Sequence, residues 1–166
     1  MYISDVRKST GPWPIFLVVI ALLAFNGCTV KFVADYDATT YEEILRVGKE
    51  VDKFYGDFLE EDEANRSYQK YSERYVELET EMRSLYTRNK SRPLNEKSTK
   101  ISDSILGLWL KYKRNHKKND GYKSGPAKLD RKRFGRLFVS AASAEAAKNL
   151  DPDDKDSAKE SKKDAK

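Results

Sequence analysis

A single cysteine, Cys28, stands among 166 residues, and that scarcity removes several chemistries at once. No disulfide can close within the chain, and no zinc site with several thiolates can be assembled. Histidine is as scarce: His116 is the only one, and no partner stands beside it at a metal-ligand spacing. There is no glycine-rich phosphate loop, no Gly-x-Ser-x-Gly and no His-Glu-x-x-His. The composition therefore points away from an enzyme, and no metal or cofactor is expected.

What is present is charge and apolar periodicity. Charged residues make up 36% of the chain with a net charge of +5, but Leu, Ile, Val, Phe, Tyr and Trp run through most of it, so one domain with a real core is expected. Only residues 151–166, rich in Lys, Asp, Ser and Ala, have the composition of a disordered tail.

The lone cysteine is explained by its position. Arg7 and Lys8 form a positive start, Trp13 to Phe25 an apolar stretch interrupted by Pro14, and Gly27 a small residue beside Cys28; that is the order of an export signal. Thirteen residues of helix cover about 20 Å, short of a ~30 Å hydrocarbon core. The segment Ala24-Phe25-Asn26-Gly27-Cys28 resembles the lipobox of bacterial lipoproteins, with Phe25 where leucine is commonest and Asn26 where a small residue is usual. The resemblance implies cleavage after Gly27 and acyl chains on Cys28, each buried methylene adding about 0.8 kcal/mol of membrane affinity. For a Gram-negative source it further implies the periplasmic leaflet of the outer membrane, because Thr29 rather than Asp follows the cysteine.

After a short tether over residues 28–38, whose Val30, Phe32 and Val33 are expected to pack on the domain, four helices are expected between 39 and 150. Thr39 with Glu42 and Thr40 with Glu43 each fit a capping box. Ile44, Gly48, Val51, Tyr55 and Phe58 form the first apolar stripe. A slip of phase and the acidic run 60–63 predict a turn near 60–65. Ala64, Tyr68, Tyr71, Tyr75, Leu78, Met82 and Leu85 then keep the cleanest four-three spacing in the sequence. Pro93 breaks the chain and Asn95 can cap the third helix, whose stripe is Ile101, Ile105, Leu108 and Tyr112, widened by Trp109. The run 119–126 reads as a loop, and a fourth helix is expected over 128–150 with Phe134, Leu137, Phe138 and Ala141 inside. Rods of similar length on short connections make an all-α antiparallel four-helix bundle.

For function, His116 reads as a solvated residue, the tyrosines 68, 71 and 75 as core rather than a stacking ladder, and the acids of the first helix as a solvated face rather than a glycosidase pair. Charge is laid out unevenly: residues 28–63 are acidic and the helical segments from 64 to 150 are basic. Pairing between neighbouring helices accounts for such a layout; a basic contact surface is the alternative. Candidate partner residues are Arg88, Asn89, Arg92 and Asn95 at the second helix junction, and Lys111, Lys113, Arg114, Lys117 and Lys118 on the third helix. The expected function is binding or scaffolding at the periplasmic face of a membrane, toward an anionic envelope component or an acidic protein. An exported address disfavours nucleic acid. Protection against phage, conjugation or a toxin is the alternative, and cell-wall hydrolysis ranks below it.

Overall fold

The computed structural model describes residues 32–150; the expected signal segment, Cys28 and the charged tail lie outside them. Four helices fill that span and, among the described residues, there is no strand. They are α1 (Ala38–Glu60), α2 (Tyr68–Ser91), α3 (Glu96–Asn119) and α4 (Ser124–Ala146). Single 3-10 turns follow α1 and α4, at Glu63–Asn65 and Ala147–Asn149.

Each neighbouring pair runs antiparallel, as the cross-helix contacts show. Arg88 meets Glu43 while Arg74 meets Glu50 on α1 and α2. Asp37 meets Glu145 while Asp52 meets Arg131 on α1 and α4. α3 packs between α2 and α4, so the bundle closes. One end gathers the start of α1, the α2–α3 junction and the end of α4; the other gathers the α1–α2 and α3–α4 junctions.

The core is aromatic. Phe54 lies 4.9–5.8 Å, ring centre to centre, from Tyr55, Phe58, Tyr71, Tyr75 and Trp109, geometry that adds about 0.5–1.5 kcal/mol per pair beyond burial. Trp109 is fully buried and its indole N–H donates to the Tyr75 carbonyl at 3.1 Å. The α2 stripe faces this core from Tyr71 through Tyr75, Leu78 and Met82 to Leu85, whereas Ala64 is exposed in the 3-10 turn.

Four expectations are corrected. The Thr39 and Thr40 capping boxes do not form; Asp37 is the N-cap of α1 and its carboxylate accepts from the amides of both threonines. The α3 seam is turned relative to the expected stripe: Ser98, Ser102, Ile105, Trp109, Tyr112 and His116 are buried, with Ile101 and Leu108 at its flanks. α4 begins at Ser124, inside the expected loop, because Gly125 and Pro126 fall in its first turn, where a proline's missing N–H costs nothing. Phe32 and Val33 do not pack on the domain; they are exposed.

Gly48 marks the closest approach of α1 and α4. A Cβ built there would lie 3.0 Å from Cγ of Phe138, so the glycine lets a ring sit against the backbone.

Candidate functional site

At the end where the chain enters α1, the side chains of the α2–α3 junction are turned into the protein. Asn89 and Asn95 are buried, the amide of Asn95 donating to both the Oδ1 and the carbonyl of Asn89. Arg92 reaches the carboxylate of Glu145 at 3.0 Å and the carbonyl of Asp35. Glu145 is wholly buried; it also accepts from the Asp37 amide at 3.0 Å and from Lys148, which in turn donates to Asn95 at 2.6 Å. Arg88 is ion-paired to Glu43 at 2.8 Å, off the line of a hydrogen bond. Buried charge holds only when paired and bonded, and Arg92, Glu145 and Lys148 meet that condition among themselves and with Asn95. Three of the four expected contact residues at this junction are thus committed to internal bonds, and Arg88 to an ion pair.

The opposite end is different. A cleft of ≈ 960 Å³ opens between the end of α3 and the start of α4, with Lys111, Lys123 and Arg133 among its walls and Leu129, Tyr112 and Tyr122 among its apolar surfaces. Beneath it Asp130 is buried and accepts from the Tyr122 hydroxyl and from Arg133; burial and that carboxylate push the Tyr122 phenol well above its usual range.

His116 also borders this cleft, and it is buried rather than solvated. Its Nε2 lies 2.8 Å from the Arg66 carbonyl, which only accepts, so Nε2 carries the proton. Nδ1 then accepts from the Tyr75 hydroxyl at 3.1 Å. Burial holds the imidazole below its ordinary value and the bond to Arg66 opposes that shift. The flanking lysines misdirect a local reading, because helix geometry turns position 116 inward and positions 117 and 118 outward. Arg66, itself buried, donates to the carbonyls of Glu61 and Tyr122 and to the Ser124 hydroxyl, satisfying carbonyls at the end of α1 that have no partner within that helix. The titratable groups below the cleft are thus held in bonds to the protein itself.

The charge layout resolves into two regimes. Arg46–Glu81, Arg74–Glu50 and Arg88–Glu43 join α1 to α2, Arg131–Asp52 joins α4 to α1, and Lys113–Glu79 joins α3 to α2. Lys117 lies over the Tyr68 ring at 5.7 Å. Lys111, Arg114 and Lys118 are exposed, with no ion pair among the described residues. So are Lys128, Lys132 and Arg136 of α4, beside a shallow groove, a set the sequence reading did not single out. Their signal was nevertheless present: between residues 104 and 144 the only acids are Asp120 and Asp130. Asp130 is buried, and Asp120 accepts from the Tyr68 amide at 2.8 Å.

Among the described residues no group of three or more His, Cys, Asp or Glu is arranged to hold a metal, and no helix is long and apolar enough to cross a membrane. Comparison with family models, with curated proteins and with solved structures finds no match for this chain.

Proposed function

We propose that the protein is a membrane-tethered binding module, held to a bacterial envelope membrane through lipid on Cys28, whose α3–α4 face docks an anionic partner. The observation that carries the reading is the cationic surface itself: Lys111, Arg114, Lys118, Lys128, Lys132 and Arg136 are exposed without ion pairs among the described residues, and the acids within that stretch are engaged elsewhere. Six like charges on two adjacent helices repel one another, a cost that an opposing surface of negative charge removes. The lipobox-like Gly27-Cys28 sequence supports the tether. The partner class is an acidic protein or a phosphate-bearing envelope component.

The test is crosslinking and affinity purification from native membranes, comparing the natural chain with Lys111→Glu/Arg114→Glu/Lys128→Glu/Arg136→Glu. Capture that falls at least tenfold in the variant, and that falls with salt in the natural chain, supports the reading. Equal capture by both chains at low salt removes the basic face as the contact. Intact mass of the same preparations checks the acyl chains, and an unmodified Cys28 removes the tether.

A further inference from the structure

The end of the bundle where the tether enters carries a cluster of exposed apolar side chains. Phe32 is 83% exposed, Val33 51%, Leu94 46% and Leu150 43%. They belong to three separate segments. The Ala34 amide donates to the Leu94 carbonyl at 3.0 Å, which brings Phe32 and Val33 beside Leu94. Lys148 donates to Asn95 at 2.6 Å, which brings Leu150 to the same end. The other exposed large apolar residues, Leu45, Val76, Leu129 and Val139, are spread over α1, α2 and α4, the ordinary scatter of a protein surface.

Leu94 adds an independent observation. Its φ is 59°, the left-handed region that costs an L-residue roughly 1–2 kcal/mol. Glycine or asparagine would hold that turn at less cost. Nearly half of the leucine surface remains in solvent, so packing within the chain returns little against the strain. Strain kept without burial marks a side chain presented to something else.

We infer that this end is a lipid-facing cap: Phe32, Val33, Leu94 and Leu150 seat in the interface of the bilayer that holds Cys28, so that the bundle stands on its tether end. The inference rests on the proposed lipid tether. Cys28 is four residues before Phe32, and four residues span at most about 14 Å, so an acylated Cys28 brings this end to the headgroup layer. Lys90 and Lys97, exposed at the same end beside Glu96, can meet lipid phosphates. Standing on this end, the bundle carries its α3–α4 junction away from the membrane by the length of its helices, ~36 Å for 24 residues at 1.5 Å each. The basic residues nearest that junction, Lys111, Arg114, Lys118 and Lys128, then lie away from the anchoring leaflet, toward a partner.

The test uses the full chain, exported and purified from bacterial membranes. It is reconstituted into phosphatidylethanolamine–phosphatidylglycerol vesicles containing a phospholipid brominated near the top of its acyl chains. Once the export signal is removed, Trp109 is the only tryptophan and is fully buried. Leu94→Trp and Leu150→Trp each add a reporter at the tether end, and Asn119→Trp adds one at the far end. Emission from the first two that drops by about half, with that of Asn119→Trp unchanged, supports the inference. A Leu94→Trp signal no more quenched than Asn119→Trp overturns it, as does equal quenching of all three, which describes a bundle lying flat. Slower amide exchange at residues 92–96 of the natural chain on vesicles gives the same answer without substitution. Intact mass separates the two ideas: an acylated Cys28 with an unquenched Leu94→Trp removes only the cap, and an unmodified Cys28 removes the tether and the cap together.

Discussion

Replacing Glu145 by glutamine tests the buried ion group beside the start of α1 with almost no change of shape. The carboxylate is wholly buried and faces Arg92, 18% exposed, and Lys148, 4% exposed. A glutamine carbonyl can still accept from the Asp37 amide, so that bond survives while the charge goes. Lys148 then loses its carboxylate partner, and Arg92 keeps only the weaker pull of Asp37. Removing one member of a buried ion pair costs about 3–5 kcal/mol, and the bonds that remain offset part of it, so a loss of about 3 kcal/mol is expected. With a urea slope of about 1.5 kcal/mol per molar, the midpoint falls by about 2 M, read by helical circular dichroism on the natural and Glu145→Gln chains. The double variant Glu145→Gln/Lys148→Met should recover part of the loss, because it removes the most deeply buried stranded cation. A midpoint shift below about 0.5 M, or a double variant no better than the single one, would refute the claim that these charges depend on one another.

Gly48→Ala should destabilise by about 1–3 kcal/mol, since its methyl meets the Phe138 ring at 3.0 Å. Gly107→Ala and Gly135→Ala, where the added methyl meets nothing within 4 Å, should each stabilise by about 0.5–1 kcal/mol from helix propensity; thermal melting reads both signs. Tyr55→Phe removes a buried hydroxyl that has no well-aligned hydrogen-bond partner, and should be neutral or add about 1 kcal/mol in the same melts. His116 is held below its ordinary value of 6.5 by burial, so the unfolded chain takes up its proton first. Its stabilising contribution is full above 6.5 and is lost as the pH falls from there toward the lower folded value. Urea titrations between about pH 7 and pH 5.5 should show that loss in the natural chain and a flatter profile in His116→Gln.

The periodic parts of this fold were readable before any coordinates. The α2 stripe from Tyr71 to Leu85 needed only its four-three spacing, because every member is apolar and in phase. Pro93 placed the second junction for a similarly local reason. What escaped was set by residues distant in sequence. The α3 seam contains Ser98, Ser102 and His116, polar residues that an apolar count passes over. His116 looked solvated because its neighbours are lysines, and only the approach of Tyr75 and Arg66 makes it internal. The junction cations Arg88 and Arg92 looked available because their acids, Glu43 and Glu145, lie 45 and 53 positions away. The basic face was half legible: α3 was singled out, and α4 was not, since Lys128, Lys132 and Arg136 are interleaved with the core positions Asp130 and Phe134 and with Arg131, which pairs with Asp52.

The acceptors at three of the helix starts come from elsewhere in the chain. Asp120 takes the first amide of α2, Glu63 the first amide of α4, and Glu145 the amide of Asp37 ahead of α1. A helix that borrows its acceptor cannot keep it after excision, and nucleating a lone helix is already unfavourable. The bundle is therefore poorly divisible: a fragment ending before Asp120 leaves α2 without its acceptor, and one beginning after Glu63 leaves α4 without its own. Chain cleavage at one junction reaches the neighbouring junction at the same end of the bundle, which ties resistance to proteolysis to the integrity of the helices together.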